Sequence, residues 1–159
     1  MADPNPLPHD EAAIRRGVEL LYFGYSHLTR AADERLEMQG LGRAHHRVLY
    51  FVSRQPGLNV SELLRLLNVT KQSLSRVLGE LTKRHLVELR TSTQDRRQRL
   101  LFLTEEGAKL EAALFSDLRS RLSAAYAEAG SDSAPGFWAI LTSLIAVEDR
   151  AMVQALDRD

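Results

Sequence analysis

Gln72, Arg76, Gly79 and Lys83 fall on one side of a helix when residues are spaced at about 100°, and Ser73 and Ser75 flank that row. A DNA major groove can use such side chains: Arg donates two bonds to guanine, Gln pairs with adenine, and Ser reaches bases or phosphates. Gly79 on the same face leaves room for close approach. Base edges are met chiefly in the first two turns, which favours Gln72, Ser73, Ser75 and Arg76 over Lys83. Thr70 and Lys71 open the helix and are counted with them. Further on, Arg96, Arg97 and Arg99 surround Asp95 in a polar turn. A thin hairpin tip with arginines suits a narrow minor groove, where the negative potential is enhanced. Asp95 has the wrong charge for DNA and is expected to pair with a neighbouring arginine, holding the hairpin in shape. A solvated surface accounts for any one of these residues as well; the set, behind a short helix and a tight turn, favours DNA.

Other chemistries find less support. There are five histidines and no cysteine, which excludes disulfides, cysteine–zinc sites and thiol redox sensing. His45 and His46 are adjacent and diverge on a helix, and no pair has the i, i+4 spacing of helical zinc ligands, so no metal is expected. No cofactor is expected either: a glycine-rich phosphate loop, a nucleophile elbow and a metal dyad are all missing from the sequence. Asp33, Glu34 and Glu37 cluster beside Arg30 and Arg35 and read as a solvated charged face rather than a catalytic one.

These groups need elements to hold them. Residues 11 to 39 read as one long helix with Ile14, Val18, Leu21, Tyr25, Leu28 and Ala32 in a single apolar seam. A second helix is expected from Arg43 to Ser53, with Val48, Leu49 and Val52 inward. A short helix follows from Ser61, its expected N-cap, to Leu67, and Asn68-Val69 makes a tight turn. Thr70 caps the next helix, whose core stripe is Leu74, Val77, Leu78 and Leu81. Leu86–Arg90 and Arg99–Leu103 read as two short strands. Thr104 caps a long helix to Ala129, helped by Glu105 and Glu106 at its positive end. Gly130–Gly136 is a breaker, and a single last helix is expected from Phe137 to Leu156. The fold class is therefore mainly α with a small β-hairpin wing: a winged helix-turn-helix flanked by a helical dimerisation bundle. Residues 1–10 form a flexible arm, 40–104 the DNA-binding lobe, and 11–39 with 105–156 the dimerisation region.

The chain has 159 residues and no net charge, but the charge is segregated. Between Leu41 and Leu103 there are twelve basic and four acidic residues, a surplus of eight positive charges balanced by the rest. A basic lobe between acidic ends is the footprint of a polyanion partner. The longest apolar stretch, Phe137–Val147, is too short to span a bilayer, and Met1–Asp10 lacks the apolar core of a secretion signal. A cytoplasmic protein with no membrane partner is expected.

Asp95-Arg96-Arg97, Leu101 and Leu103-Thr104-Glu105-Glu106-Gly107 resemble the D-x-R wing and L-T-x-x-G strand-to-helix junction of the MarR family. Leu58–Leu63 and Asn68–Val77 resemble its helix-turn-helix, and Gly40-Leu41 with Val48-Leu49 the start of its second helix. The resemblance covers residues 12 to 155. It departs at His85, where a glycine is usual, and at His45-His46, which replace a polar and aromatic pair. The resemblance implies a homodimer on double-stranded DNA, with recognition helices in successive major grooves and wings at the flanking minor grooves. Arg97 would be the minor-groove arginine and Asp95 its buttress. Many members are repressors released by small aromatic ligands. His45 and His46 fall where the family pocket lies, near Tyr22 and Tyr25, and are candidates to bind a small aromatic or anionic ligand. The alternative function is a winged-helix module for protein assembly, which would not need outward Gln72, Arg76 and wing arginines.

Overall fold

The computed structural model describes residues 10–157. The expected N-terminal arm therefore lies outside the described residues, except Asp10, which belongs to the first helix. Its carboxylate caps α1 (Glu11–Glu37) by accepting the Ala13 N–H at 2.7 Å. Then come α2 (Arg43–Arg54), α3 (Val60–Leu67) and α4 (Lys71–Lys83), the strands β1 (Val87–Thr91) and β2 (Arg99–Leu103), and the helices α5 (Glu105–Ala129), α6 (Ser133–Leu144) and α7 (Val147–Gln154). The strands pair antiparallel, Val87 opposite Leu103 and Thr91 opposite Arg99. The segment before α3 adds to the hairpin: Gly57 N–H donates to Leu101 O at 2.8 Å, and Leu101 N–H to Leu58 O at 2.9 Å. The result is a winged helix-turn-helix on a largely helical frame.

One core joins the last turns of α1 to the lobe. Ala32, Leu36, Val48, Leu49, Val52, Leu63, Leu74, Leu81, Leu101 and Leu114 all belong to it. The apolar stripes expected on α2 and α4 are the buried ones. The α1 seam divides instead: Ala32 is fully buried, while Val18 is 63% exposed and Ile14, Leu21 and Tyr25 also face outward. No residue of α6 or α7 is buried.

Three expectations need correction. The N-cap of α3 is Asn59, not Ser61: Asn59 Oδ1 accepts the Glu62 N–H at 2.9 Å, while Glu62 returns a carboxylate to the Asn59 N–H at 2.7 Å. This reciprocal box satisfies two otherwise orphaned donors, which a lone serine two residues later cannot do. The breaker is shorter than expected. Gly130, at φ +93°, ends α5, and α6 resumes at Ser133 with Pro135 in its first turn, where a missing N–H costs nothing. The last helix is two. Ile145 and Ala146 are extended between α6 and α7. Arg150 supplies donors to the Ile145 and Ser143 carbonyls, and Glu148 and Asp149 favour a new helix N-terminus at that point.

Candidate nucleic-acid interface

Thr70 sets the start of α4. Its Oγ1 accepts the Ser73 N–H at 3.2 Å and donates to Ser73 Oγ at 2.9 Å. The Ser73 hydroxyl is therefore engaged with the cap. Lys71, Gln72, Ser75, Arg76 and Lys83 are exposed, opposite the buried Leu74, Val77, Leu78 and Leu81. A Cβ at Gly79 would meet nothing within 4 Å, so the backbone is bare in the middle of that face. Asn68, left-handed at φ 49°, ends α3 and makes the tight turn before α4. His85 closes α4 at φ 56°, the left-handed conformation for which glycine is the usual residue. Its N–H donates to Thr82 O, and Leu86 N–H to Leu81 O, each at 3.0 Å.

The wing is held from within. Ser92 is buried, and its Oγ accepts the N–H groups of Gln94 and Asp95 at 3.2 and 3.3 Å. Asp95 Oδ1 accepts the Arg97 backbone N–H at 3.0 Å. The expected pairing of Asp95 with an arginine side chain is thus replaced by a backbone turn, the bond aspartate habitually makes two residues on. Asp95 forms no ion pair among the described residues. Arg99 is tied to β1, donating to Thr91 Oγ1 at 3.1 Å. Arg96 and Arg97 are exposed at the tip.

Behind α4, His45 of α2 is spanned between two partners. Its Nδ1 accepts the Gly42 N–H at 3.0 Å, and its Nε2 lies 2.6 Å from Glu80 Oε2. This bond, aided by the charges of Arg76 and Arg84, holds the Glu80 carboxyl below its ordinary range. Arg84 also donates to the Gln39 and Gly40 carbonyls. His45 therefore faces α4, not a ligand cavity.

A cavity of about 480 Å³ lies between α1, α2 and α5. Tyr25 and His46 line it; Tyr22 and His45 do not. Tyr22 is exposed and meets Phe23 edge to face. Tyr50, Phe115, Arg119 and Tyr126 also line the cavity, and sequence reasoning missed them. Phe115, Arg119, Leu122 and Tyr126 share the helical 4, 3, 4 spacing, a signal hidden by the arginine within it. Burial pushes the His46 imidazole below its ordinary value, against a weaker opposing pull from Asp33. Arg43 reaches over from α2 to bond Asp33 at 2.7 Å and Thr29 at 3.1 Å, with its guanidinium 5.8 Å from the Tyr25 ring. Burial raises the Asp33 carboxyl, but the bonds from Arg43 and Thr29 outweigh it and leave it below the ordinary range. Among the described residues, no group of three or more His, Cys, Asp or Glu is placed to hold a metal ion, and no helix is long and apolar enough to cross a membrane.

A sequence model of the MarR family matches residues 39–98, the helix-turn-helix and the wing. The HTH-type transcriptional regulator PetP of Rhodobacter capsulatus is 44% identical over 132 residues, covering 83% of this chain and 80% of PetP. The chain belongs to the MarR family. This MarR-family chain is a transcriptional regulator, not an enzyme. Its fold recurs in the crystal structure of the MarR family transcription regulator SP03579, at a TM-score of 0.73 and 20% identity, covering 98% of this chain and 100% of that one. It recurs also in a mutant of MarR from E. coli complexed with operator DNA, at a TM-score of 0.65 and 20% identity, covering 80% and 92%. At such identities the likeness establishes the fold.

Proposed function

We propose that this regulator is a cytoplasmic repressor that binds a palindromic operator as a homodimer and is released by a small aromatic or anionic ligand. The observation that carries the reading is the exposed row Gln72, Ser75, Arg76 and Lys83 around a bare Gly79 on a firmly capped helix. That row is what a helix needs to lie in a major groove and read base edges. Arg96 and Arg97 then reach the minor groove from the wing, and Lys71 meets the backbone phosphates. The exposed apolar faces of α1 and α6 support a dimer, which would place two such helices on successive turns of the duplex. The cavity supports the ligand: Tyr25, Tyr50, Phe51, Phe115 and Tyr126 offer aromatic walls, and His46, Arg47 and Arg119 offer donors for an anion.

Selection of bound duplexes from a random pool tests the reading. Enrichment of a two-fold symmetric sequence is expected. A pool that stays random after repeated rounds would remove operator recognition and favour a winged helix used for protein assembly.

A further inference from the structure

Glu80 sits at the meeting point of two side chains. One carboxylate oxygen, Oε2, is 2.6 Å from His45 Nε2, and the other, Oε1, is 4.0 Å from Arg76 Nη1. His45 is itself fixed: its side chain is only 13% exposed, and its Nδ1 accepts the Gly42 N–H. Since Nδ1 accepts, the ring proton sits on Nε2 and is donated to Glu80. The chain of contacts therefore runs from the backbone at the start of α2, through a largely covered imidazole and one carboxylate, to the arginine in the outward row of α4.

We propose that His45 and Glu80 are positioning residues that hold the Arg76 guanidinium ready for base reading. This rests on the reading of α4 as the DNA-reading helix.

Stability gives little reason for the arrangement. An exposed pair between Arg and Glu four residues later has the less favourable polarity on a helix and contributes little to folding. A carboxylate on the DNA-facing helix also repels phosphates. Its value lies in order. A free arginine loses much rotamer freedom when it docks, and a group held beforehand loses less. Glu80 could not do this alone, because its own side chain is long and partly exposed. The bond from His45 removes that freedom on one oxygen and leaves the other to face Arg76. Arg84, the other cation near Glu80, is occupied with the Gln39 and Gly40 carbonyls. Arg76 has no such competing partner among the described residues.

The test uses the full chain with a selected duplex and a scrambled duplex of the same composition, at one salt concentration. Parent, His45→Ala, Glu80→Gln, Arg76→Ala and the two doubles with Arg76→Ala are compared, with thermal midpoints recorded. Arg76→Ala should lower the ratio of selected to scrambled affinity by roughly tenfold. His45→Ala and Glu80→Gln should each lower it severalfold, yet neither should lower it further once Arg76 is alanine. Glu80→Gln should bind the scrambled duplex as tightly as the parent or tighter, since a charge opposing the phosphates is gone. It also alters only a partly exposed side chain, so it answers the question even if His45→Ala does not fold. Equal weakening on both duplexes, or the same loss with and without Arg76, would make His45 and Glu80 a structural brace and overturn the proposal. A parent that does not distinguish the duplexes overturns the functional reading and the proposal together.

Discussion

A carboxylate at the tip of a wing proposed to meet DNA must return something for the phosphate repulsion it would bring. Asp95 returns a backbone turn: its Oδ1 holds the Arg97 N–H, and buried Ser92 gathers the Gln94 and Asp95 N–H groups. On this account Arg97→Ala should weaken operator binding about tenfold without changing the thermal midpoint. Asp95→Ala should weaken it too, and the double mutant should lose less than the two losses combined. Asp95→Asn is the sharper variant, because it keeps an oxygen for the Arg97 N–H and drops the charge. It should bind at least as tightly as the parent in titrations at fixed salt; a loss equal to that of Asp95→Ala would show that the charge, not the turn, matters. His46 carries a second prediction. Burial depresses its imidazole below the ordinary 6.5, so the unfolded chain takes up the proton first as pH falls. Stability is then present above about 6.5 and is lost as pH falls toward the folded group's own titration. Glu111, raised by burial above its ordinary 4.5, slopes the opposite way, so the comparison must be between parent and variant. His46→Gln should flatten the loss of denaturation free energy between pH 6.5 and 5, by at most about 1.4 kcal/mol per pH unit for one proton. Unchanged slopes would place His46 in contact with solvent.

At the scale of elements, local periodicity carries far and then stops. The α4 stripe is legible in Leu74, Val77, Leu78 and Leu81 because burial on one face imposes helical spacing, and Thr70 and Thr104 are legible as caps because each is followed by helix-forming residues. Asn59 is not, since a cap depends on which residue takes extended backbone, and Ser61 competes with it in sequence. The break at Ile145 is hidden for a related reason: the residues on both sides suit a helix, and only the Arg150 side chain on the carbonyls reveals the end. His45 and His46 look alike in sequence, but one turns toward α4 and the other toward the cavity, a choice made by packing. Gly107 shows what a motif residue does. A Cβ there would lie 1.9 Å from the Leu86 carbonyl oxygen, which itself accepts the Thr104 N–H at 3.1 Å. Backbone meets backbone, so no side chain can swing aside. Gly107→Ala should destabilise the fold by about 3 kcal/mol or more in chemical denaturation, despite alanine's better helix propensity. A variant as stable as the parent would mean that α5 can slide along the hairpin.

The whole molecule is asymmetric in two ways that point to the same assembly. The basic residues concentrate in the lobe and the acidic ones at the chain's two ends, which orients the lobe toward a polyanion as it approaches. Apolar surface is distributed the other way. Val18 on α1 and Ile140 on α6 are 63% and 64% exposed, and Trp138, Leu144 and Val147, on α6 and α7, which pack little against the rest of the chain, are more than half exposed. So much exposed apolar surface is costly in water and is expected to be covered. A second copy fits, because α1 and α6 come from the two ends of the chain and would present the same surfaces to each other about a two-fold axis. Sedimentation at micromolar concentration should therefore give a dimer. Val18→Glu with Ile140→Glu places two charges where the partner would sit, at positions that contribute nothing to the lobe core, and should give a monomer with α2 to β2 still folded. Operator affinity should then fall by about 10² or more, since each half-site must be bound without the help of its tethered neighbour. Binding to a duplex carrying a single half-site should change far less, and that difference separates loss of pairing from loss of folding. If the double variant still sediments as a dimer, the copies meet through another surface; if it is a monomer that binds the full operator as tightly as the parent, two-fold recognition is wrong.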